Sequence, residues 1–214
     1  MTEKLLALLK ERFPLTETDV GAYRTLKAKD LTFAVRAYAA KGLGHVSVMQ
    51  AKGFFGLMKM DTLIVNPKEI DLPLLSYDRI LAMGNDTLIV ELYDTAVEPL
   101  DLTALNVVKT KYQDLPERDP GTHWYDAIRL PESISKKGKK LSQQFDAMTA
   151  DFAAAYLSLP AKPVTDPEKK REKTNAYVEG LLENGGPSTD VFKKALGEEK
   201  TAELFRSVLF GTNG

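Results

Sequence analysis

Leu31-Thr32-Phe33-Ala34-Val35-Arg36-Ala37-Tyr38 is where the chain settles into a period of two. Leu31, Phe33, Val35 and Ala37 alternate with Thr32, Ala34, Arg36 and Tyr38. Successive side chains of an extended strand point to opposite sides, so the stretch reads as a half-buried strand. Gly42 and Gly44 punctuate the chain beyond it, and Val46 and Val48 open a second alternating run. Further strands are predicted over residues 58–65, 79–83, 87–93 and 105–108, separated by Gly53, Asn66-Pro67 and Gly84-Asn85-Asp86. Runs this close, joined by short turns, predict an antiparallel meander, because parallel neighbours need long crossovers.

Outward from the sheet the pattern is helical. Leu5, Leu6, Leu8 and Leu9 form an apolar stripe with Lys4, Lys10 and Glu11 on the other side, and Pro14 ends that helix. After His123-Trp124 helices return. Phe145, Met148, Phe152 and Tyr156 are spaced by three or four in an alanine-rich segment over 141–159. Pro160, Pro163 and Pro167 mark a loop, and a second long helix over 168–183 carries Tyr177, Val178, Leu181 and Leu182. Gly185-Gly186-Pro187 stops it, and two short helices come next, the first ended by Gly197 and the second running into Val208-Leu209-Phe210. A sheet has two faces to cover. The expected fold is therefore α/β, a three-layer α-β-α sandwich with a central antiparallel sheet, in one domain over 1–214.

Composition narrows the function classes. The chain has 214 residues, 43% hydrophobic and 28% charged, a globular balance large enough for a core of its own. There is no cysteine, which excludes disulfides, thiolate metal ligation and cysteine nucleophiles. A net charge of −1 offers no overall basic field for nucleic acid. No stretch approaches the length of a membrane-spanning helix, and the charged N-terminal helix does not read as a signal peptide. The expectation is a soluble cytoplasmic protein.

Chemistry is sparsely signposted. There is no P-loop and no Rossmann glycine pattern. With His45 and His123 far apart, a histidine metal site is not expected, and each reads as a surface or packing residue. Lys136, Lys137, Lys139 and Lys140 form one basic cluster, and Lys169, Lys170, Arg171 and Lys173 another. They read as a solvated loop and a solvated helix face, or as a docking patch for an acidic partner. Asp61 sits within an apolar strand run and Asp78 at the start of another. A carboxylate under covering helices would be desolvated and suited to hold and deliver a proton; the alternative places each at a strand end facing water.

Three stretches in register resemble the ferredoxin-dependent bilin reductases, which reduce linear tetrapyrroles of the biliverdin type. They are Phe33–Tyr38 with its arginine and tyrosine two apart, Asn66-Pro67-Lys68-Glu69-Ile70-Asp71-Leu72-Pro73-Leu74-Leu75-Ser76-Tyr77-Asp78, and Val191-Phe192-Lys193-Lys194-Ala195-Leu196-Gly197-Glu198-Glu199 running on to Val208-Leu209-Phe210. Spacing between these anchors also agrees, so the resemblance spans nearly the whole chain, and red chlorophyll catabolite reductase shares the same fold. It implies a sandwich with the bilin between the sheet and the C-terminal helices, no permanently bound cofactor, and electrons delivered singly by reduced ferredoxin. Ferredoxin would dock at one of the two basic clusters.

Residue by residue, the resemblance makes Asp78 the central proton donor and Asp61 a second candidate where relatives carry histidine or another polar side chain. Thr87 keeps a hydroxyl for a propionate; Lys111 and Arg118 lie near the position of a propionate-gripping base, which here is Gln113; Arg36 belongs to the first motif. Two positions depart from the pattern. Met49 replaces a glutamate that is catalytic in one subgroup, and Gly185-Gly186 replaces a loop whose aspartate can be catalytic. The implied activity is reduction of a bilin or similar open-chain pigment, a chlorophyll breakdown product included. A tetrapyrrole carrier that kept the fold without the chemistry is the alternative.

Overall fold

The computed structural model describes residues 1–213. Helix α1 (Thr2–Arg12) leads into β1 (Leu15–Thr18), β2 (Thr25–Ala28), β3 (Leu31–Ala40), β4 (Gly44–Gly53), β5 (Met58–Pro67), β6 (Leu74–Ala82) and β7 (Asn85–Tyr93). Helix α2 (Thr103–Lys111), edge strand β8 (Ile134–Gly138) and helices α3 (Ser142–Leu157), α4 (Pro167–Asn184), α5 (Pro187–Leu196) and α6 (Glu198–Glu203) complete the order. The eight strands form one sheet in the order β1-β3-β4-β5-β6-β7-β8, with β2 beside β1 along the outer edge of β3. Every pairing is antiparallel.

The alternation read from the sequence sorts side chains between the two faces. Tyr38, Val46, Val48, Leu63, Val65, Tyr77, Leu88 and Val90 bury one face against Leu5, Leu6 and Leu9 of α1, Leu105 and Val108 of α2, and Phe145, Met148 and Phe152 of α3. Phe33, Val35, Met49, Ala51, Ile64 and Tyr93 turn the other way, toward Tyr177, Val178 and Leu181 of α4, Phe192 of α5 and Leu204 and Phe205 beyond α6. Each fully buried Leu or Phe of this kind contributes about 1.5–3 kcal/mol. The three-layer sandwich with a central antiparallel sheet is the observed fold.

Three expectations need correction. Residues 105–108 are helix, not strand: Leu105 and Val108 lie one turn apart and are buried, and the β-branched pair at 107–108 imitated a strand. Asp78 lies in mid-strand, because β6 begins at Leu74. Lys136 and Lys137 belong to β8 rather than to a solvated loop; Lys136 is buried and donates to Leu115 O (2.9 Å) and Glu117 Oε1 (2.5 Å).

The chain ends on a wide turn. Leu204–Leu209 is a π-helix, closed by Phe210 N donating to Phe205 O at 2.9 Å. The final carbonyls of such a segment lack intrahelical donors, and side chains from β4, β5 and the residue after β5 supply them. His45 Nε2 meets Val208 O at 2.8 Å, Ser47 Oγ donates to Leu209 O at 2.7 Å, Asn66 Nδ2 to Phe210 O at 2.7 Å, and Lys68 Nζ to Gly211 O. Gly211 (φ 61°) must be small here, since a Cβ would stand 2.4 Å from the His45 ring.

Candidate active site

Between the middle of the sheet and the C-terminal helices the side chains leave a cavity. Its volume is 180 Å³, smaller than the usual small-molecule site, and it opens to solvent at a mouth. β5, β6 and β7 supply the floor with every second residue: Thr62 and Ile64, Ser76, Asp78 and Ile80, then Ile89, Glu91 and Tyr93. Met49 of β4 adds to it, and Tyr125, Tyr177, Leu181, Phe205 and Phe210 form the walls.

Asp78 is half-buried at the centre of this floor. Thr62, directly opposite in the register, donates to Asp78 Oδ1 at 2.5 Å. Desolvation pushes the carboxyl up to about 6; the Thr62 hydroxyl opposes the shift, Glu91 adds to it by charge, and a hydrogen bond with Ser76 again opposes it. Glu91 is the diagonal neighbour of Asp78, since Asp78 pairs with Ile89. It receives Arg129 Nη1 at 3.1 Å and the Tyr93 hydroxyl at 2.6 Å, while Arg129 also reaches Asp126 at 2.9 Å. Two carboxylates thus share one floor in unlike settings, one with a guanidinium partner and one with hydroxyls and hydrocarbon. That arrangement suits a proton held at Asp78 up to about pH 6, well above the ordinary carboxyl range.

Aromatic rings form much of the wall. Tyr93 stacks on Tyr177 (centroids 4.0 Å), Tyr125 meets both edge-on, and His123 lies flat on Tyr125 at 4.8 Å with 8° between planes. Trp124 anchors this segment to α4. Its Nε1 donates to Gly185 O at 3.1 Å, and its ring lies over Gly180, where a Cβ would stand 2.3 Å away. That contact explains a glycine inside a helix.

Of the residues expected in the site, Asp78, Met49 and Arg118 line the cavity. Arg118 Nη1 donates to Ser135 Oγ at 3.2 Å. Thr87 shares the cavity face of β7 but is buried between Ile80 and Lys137, beyond the lining. The structure does not bring in the other three. Asp61 points to the opposite face, where Gln50 Nε2 (3.2 Å) and the Met1 ammonium (3.4 Å) approach it. Arg36 pairs with Glu3 of α1 on that same face, and Lys111 pairs with Asp151 of α3 at 2.6 Å. For Asp61 and Arg36 the period of two decides the side. Asp61 alternates with Met60 and Thr62 of the cavity lining, and Arg36 with Val35 and Ala37, which face the C-terminal helices.

Sequence reasoning missed His123, which reads there as a surface or packing residue, and Glu91, which lies two positions from Tyr93 on one face of β7. It also missed Ser188 and Thr189, which line the cavity at the start of α5; the buried Thr189 hydroxyl has no partner among the described residues. These hydroxyls stand beside the Gly185-Gly186 pair that carries no side-chain donor. The basic cluster on α4 is thinner than its sequence suggests. Lys170 is buried and donates to Leu72 O and to Asp71 at 3.3 Å, and Lys173 reaches Asp94 at 3.0 Å and Ala96 O at 2.6 Å.

Fold and cavity together define an α-β-α sandwich with a carboxyl at the centre of an aromatic-walled site. Among solved structures the chain is similar to phytochromobilin synthase from tomato in complex with biliverdin, with a TM-score of 0.78 and 17% identity, over 99% of this chain and 83% of that one. No family model and no curated protein matches. The likeness of fold implied by the three sequence motifs is therefore found in the structure.

Proposed function

We propose that the protein binds a linear tetrapyrrole between the sheet and the C-terminal helices and reduces it, as a divergent relative of the ferredoxin-dependent bilin reductases. The observation that carries this reading is Asp78: a carboxyl raised to about 6 at the centre of the cavity floor. It stands in a fold shared with a protein solved with biliverdin. Reducing one double bond takes two electrons and two protons. Reduced ferredoxin, or a similar small redox protein, would supply the electrons one at a time, and Asp78 would supply the first proton. Arg118 and the Ser188 and Thr189 hydroxyls are available for the propionates, and His123 for the second proton. General acid catalysis of this kind is worth about 10²–10⁴-fold.

A carrier without chemistry is the second reading, favoured by Met49 and Gly186, which line the cavity where no proton can be donated from a side chain. Titration with biliverdin followed by absorbance, then addition of reduced ferredoxin, separates the two. The reductase reading expects a changed visible spectrum on binding and a further shift or bleaching on reduction. It expects Asp78→Asn to bind pigment but slow that second change by about 10²-fold or more. Binding with no reduction in either protein would favour the carrier. No spectral change with any linear tetrapyrrole would remove both.

A further inference from the structure

Among the described residues, five that are not glycine have positive φ: Lys29 (54°), Phe54 (51°), Phe55 (55°), Met83 (50°) and Lys140 (59°). All five lie at one end of the sheet. Lys29 is in the β2–β3 turn, the two phenylalanines in the β4–β5 turn and Met83 in the β6–β7 turn. Lys140 comes after Gly138, which pairs with Asp86 beside that last turn. The tips are contiguous: Met83 N donates to Leu57 O at 3.4 Å, and a Cβ on Gly53 would touch Asp30 O. Hairpin positions in the left-handed region favour asparagine, aspartate and glycine, and a bulky side chain there is strained. Strain retained at a cluster of turns is an indication of function.

The side chains held at that cost are apolar or basic. Phe55 is 107% exposed, Met83 82% and Leu57 66%. Around these knobs stand Lys29 and Lys140, and Lys52 directly opposite Lys59, a like-charge pair that a sheet otherwise avoids. Of the acids at this end, Asp30 is exposed, Asp86 is buried against Arg79, and the more exposed Asp146 lies 3.5 Å from the same guanidinium. We propose that this end of the sheet docks on an anionic lipid bilayer, the apolar tips entering the interface and the lysines facing the headgroups. The tips are convex knobs rather than a groove, which fits insertion between lipids, and the excess of lysine fits negative headgroups. Among the described residues no helix is long and apolar enough to cross a membrane, and the proposed contact is with the bilayer surface. The cavity is close by: Met60 and Ile80, which line it, are a register pair two residues from Met58 and Ala82 at the base of the tips.

Co-sedimentation of the full chain with phosphatidylcholine vesicles, and with vesicles also containing phosphatidylserine, tests this. The chain is expected to partition onto the mixed vesicles, less onto the neutral ones, and to be released by salt. Phe54→Asn, Phe55→Gly and Met83→Asn together should lower that partition at least about tenfold. They also relieve the left-handed strain, so the melting temperature should hold or rise and misfolding cannot explain the loss. Lys29→Gln and Lys140→Gln should each cost about fivefold on mixed vesicles alone. Failure of the chain to bind either vesicle, or unchanged binding by the triple variant, would overturn the proposal. So would concentration-dependent self-association that the triple variant abolishes in the absence of lipid, which would make the occupant a second copy.

Discussion

The two faces of the sheet bury charge by different means. On the side of α1, α2 and α3, Arg79 lies against Asp86 through two hydrogen bonds, the longer 2.6 Å, with Ser142 donating to the same carboxylate at 2.6 Å and the Phe145 ring 5.0 Å from the guanidinium. Both carboxylate oxygens are answered, while among the described residues Arg79 Nη1 makes no hydrogen bond and has Asp146 at 3.5 Å. One residue earlier on the same strand, Asp78 points to the side of α4, α5 and α6 and meets hydroxyls, hydrocarbon and open space. A carboxylate paired with a guanidinium is part of the packing; one without a cation is driven toward its neutral acid. Neighbouring residues of β6 thus differ in partner more than in depth, and the partner decides which charge the fold favours.

Removing one partner on the closed face should have the largest effect on stability. Arg79→Met leaves Asp86 buried without its counter-ion, for a loss of about 3–5 kcal/mol in urea unfolding. Asp78→Asn on the open face should cost nothing at neutral pH, because it removes a carboxyl that the fold already disfavours when ionised. If the two variants lost equal stability, the contrast between the faces would be wrong.

Their pH dependence sharpens the same contrast. Asp78 titrates at about 6 in the fold against an ordinary 3.8, so the folded chain holds the extra proton between those values. Stability from this group is full below 3.8 and declines as pH rises to about 6, by on the order of 3 kcal/mol. Asp78→Asn should abolish that decline. His45, on the cavity side of β4 under the C-terminal tail, works in the opposite sense. Burial first, and Lys68 to a lesser degree, lower it from 6.5 to about 4 against the favourable bond to Val208 O. The unfolded chain therefore takes up the proton first, and stability falls as pH drops from 6.5 to 4. Melting temperatures in pH steps for the parent, Asp78→Asn and His45→Gln should show the two slopes separately. Parallel curves for all three would refute both assignments.

Legibility in the sequence depends on what each signal measures. Alternation in Phe33–Tyr38 and the run ending at Asp78 reports which face a residue is on, so the sandwich and the placing of Asp78 on the cavity face were within reach of the sequence. The same parity argument, applied to Asp61 and Arg36, would have sent both to the side of α1. Helix α2 was hidden because Val107-Val108 carries strand propensity, while the packing of Leu105 and Val108 on α3 decided the outcome. Glu91, His123 and Thr189 reach the cavity from three distant segments, and no local pattern encodes such a convergence. Lys170 looked like one cation among four until Asp71, 99 residues away, supplied its partner.

The smallest expected effect concerns what holds the open face together. Phe205, Leu209 and Phe210 line the cavity but belong to the π-helical tail, whose carbonyls depend on His45, Ser47, Asn66 and Lys68. Ser47→Ala removes one donor and leaves the Leu209 carbonyl with less, at a cost of about 1 kcal/mol. The closed face depends less on such donors: Arg12 of α1 reaches Leu157 O at the end of α3, and the two helices are otherwise packed by hydrocarbon stripes. Hydrogen exchange in Ser47→Ala should therefore accelerate at amides 208–213 while the amides of β6 and α3 keep their protection. Uniform acceleration would mean that the tail is part of the global unfolding unit. In that case the cavity wall is as fixed as the core behind the sheet, and a ligand too large for 180 Å³ could not be admitted by moving the tail alone.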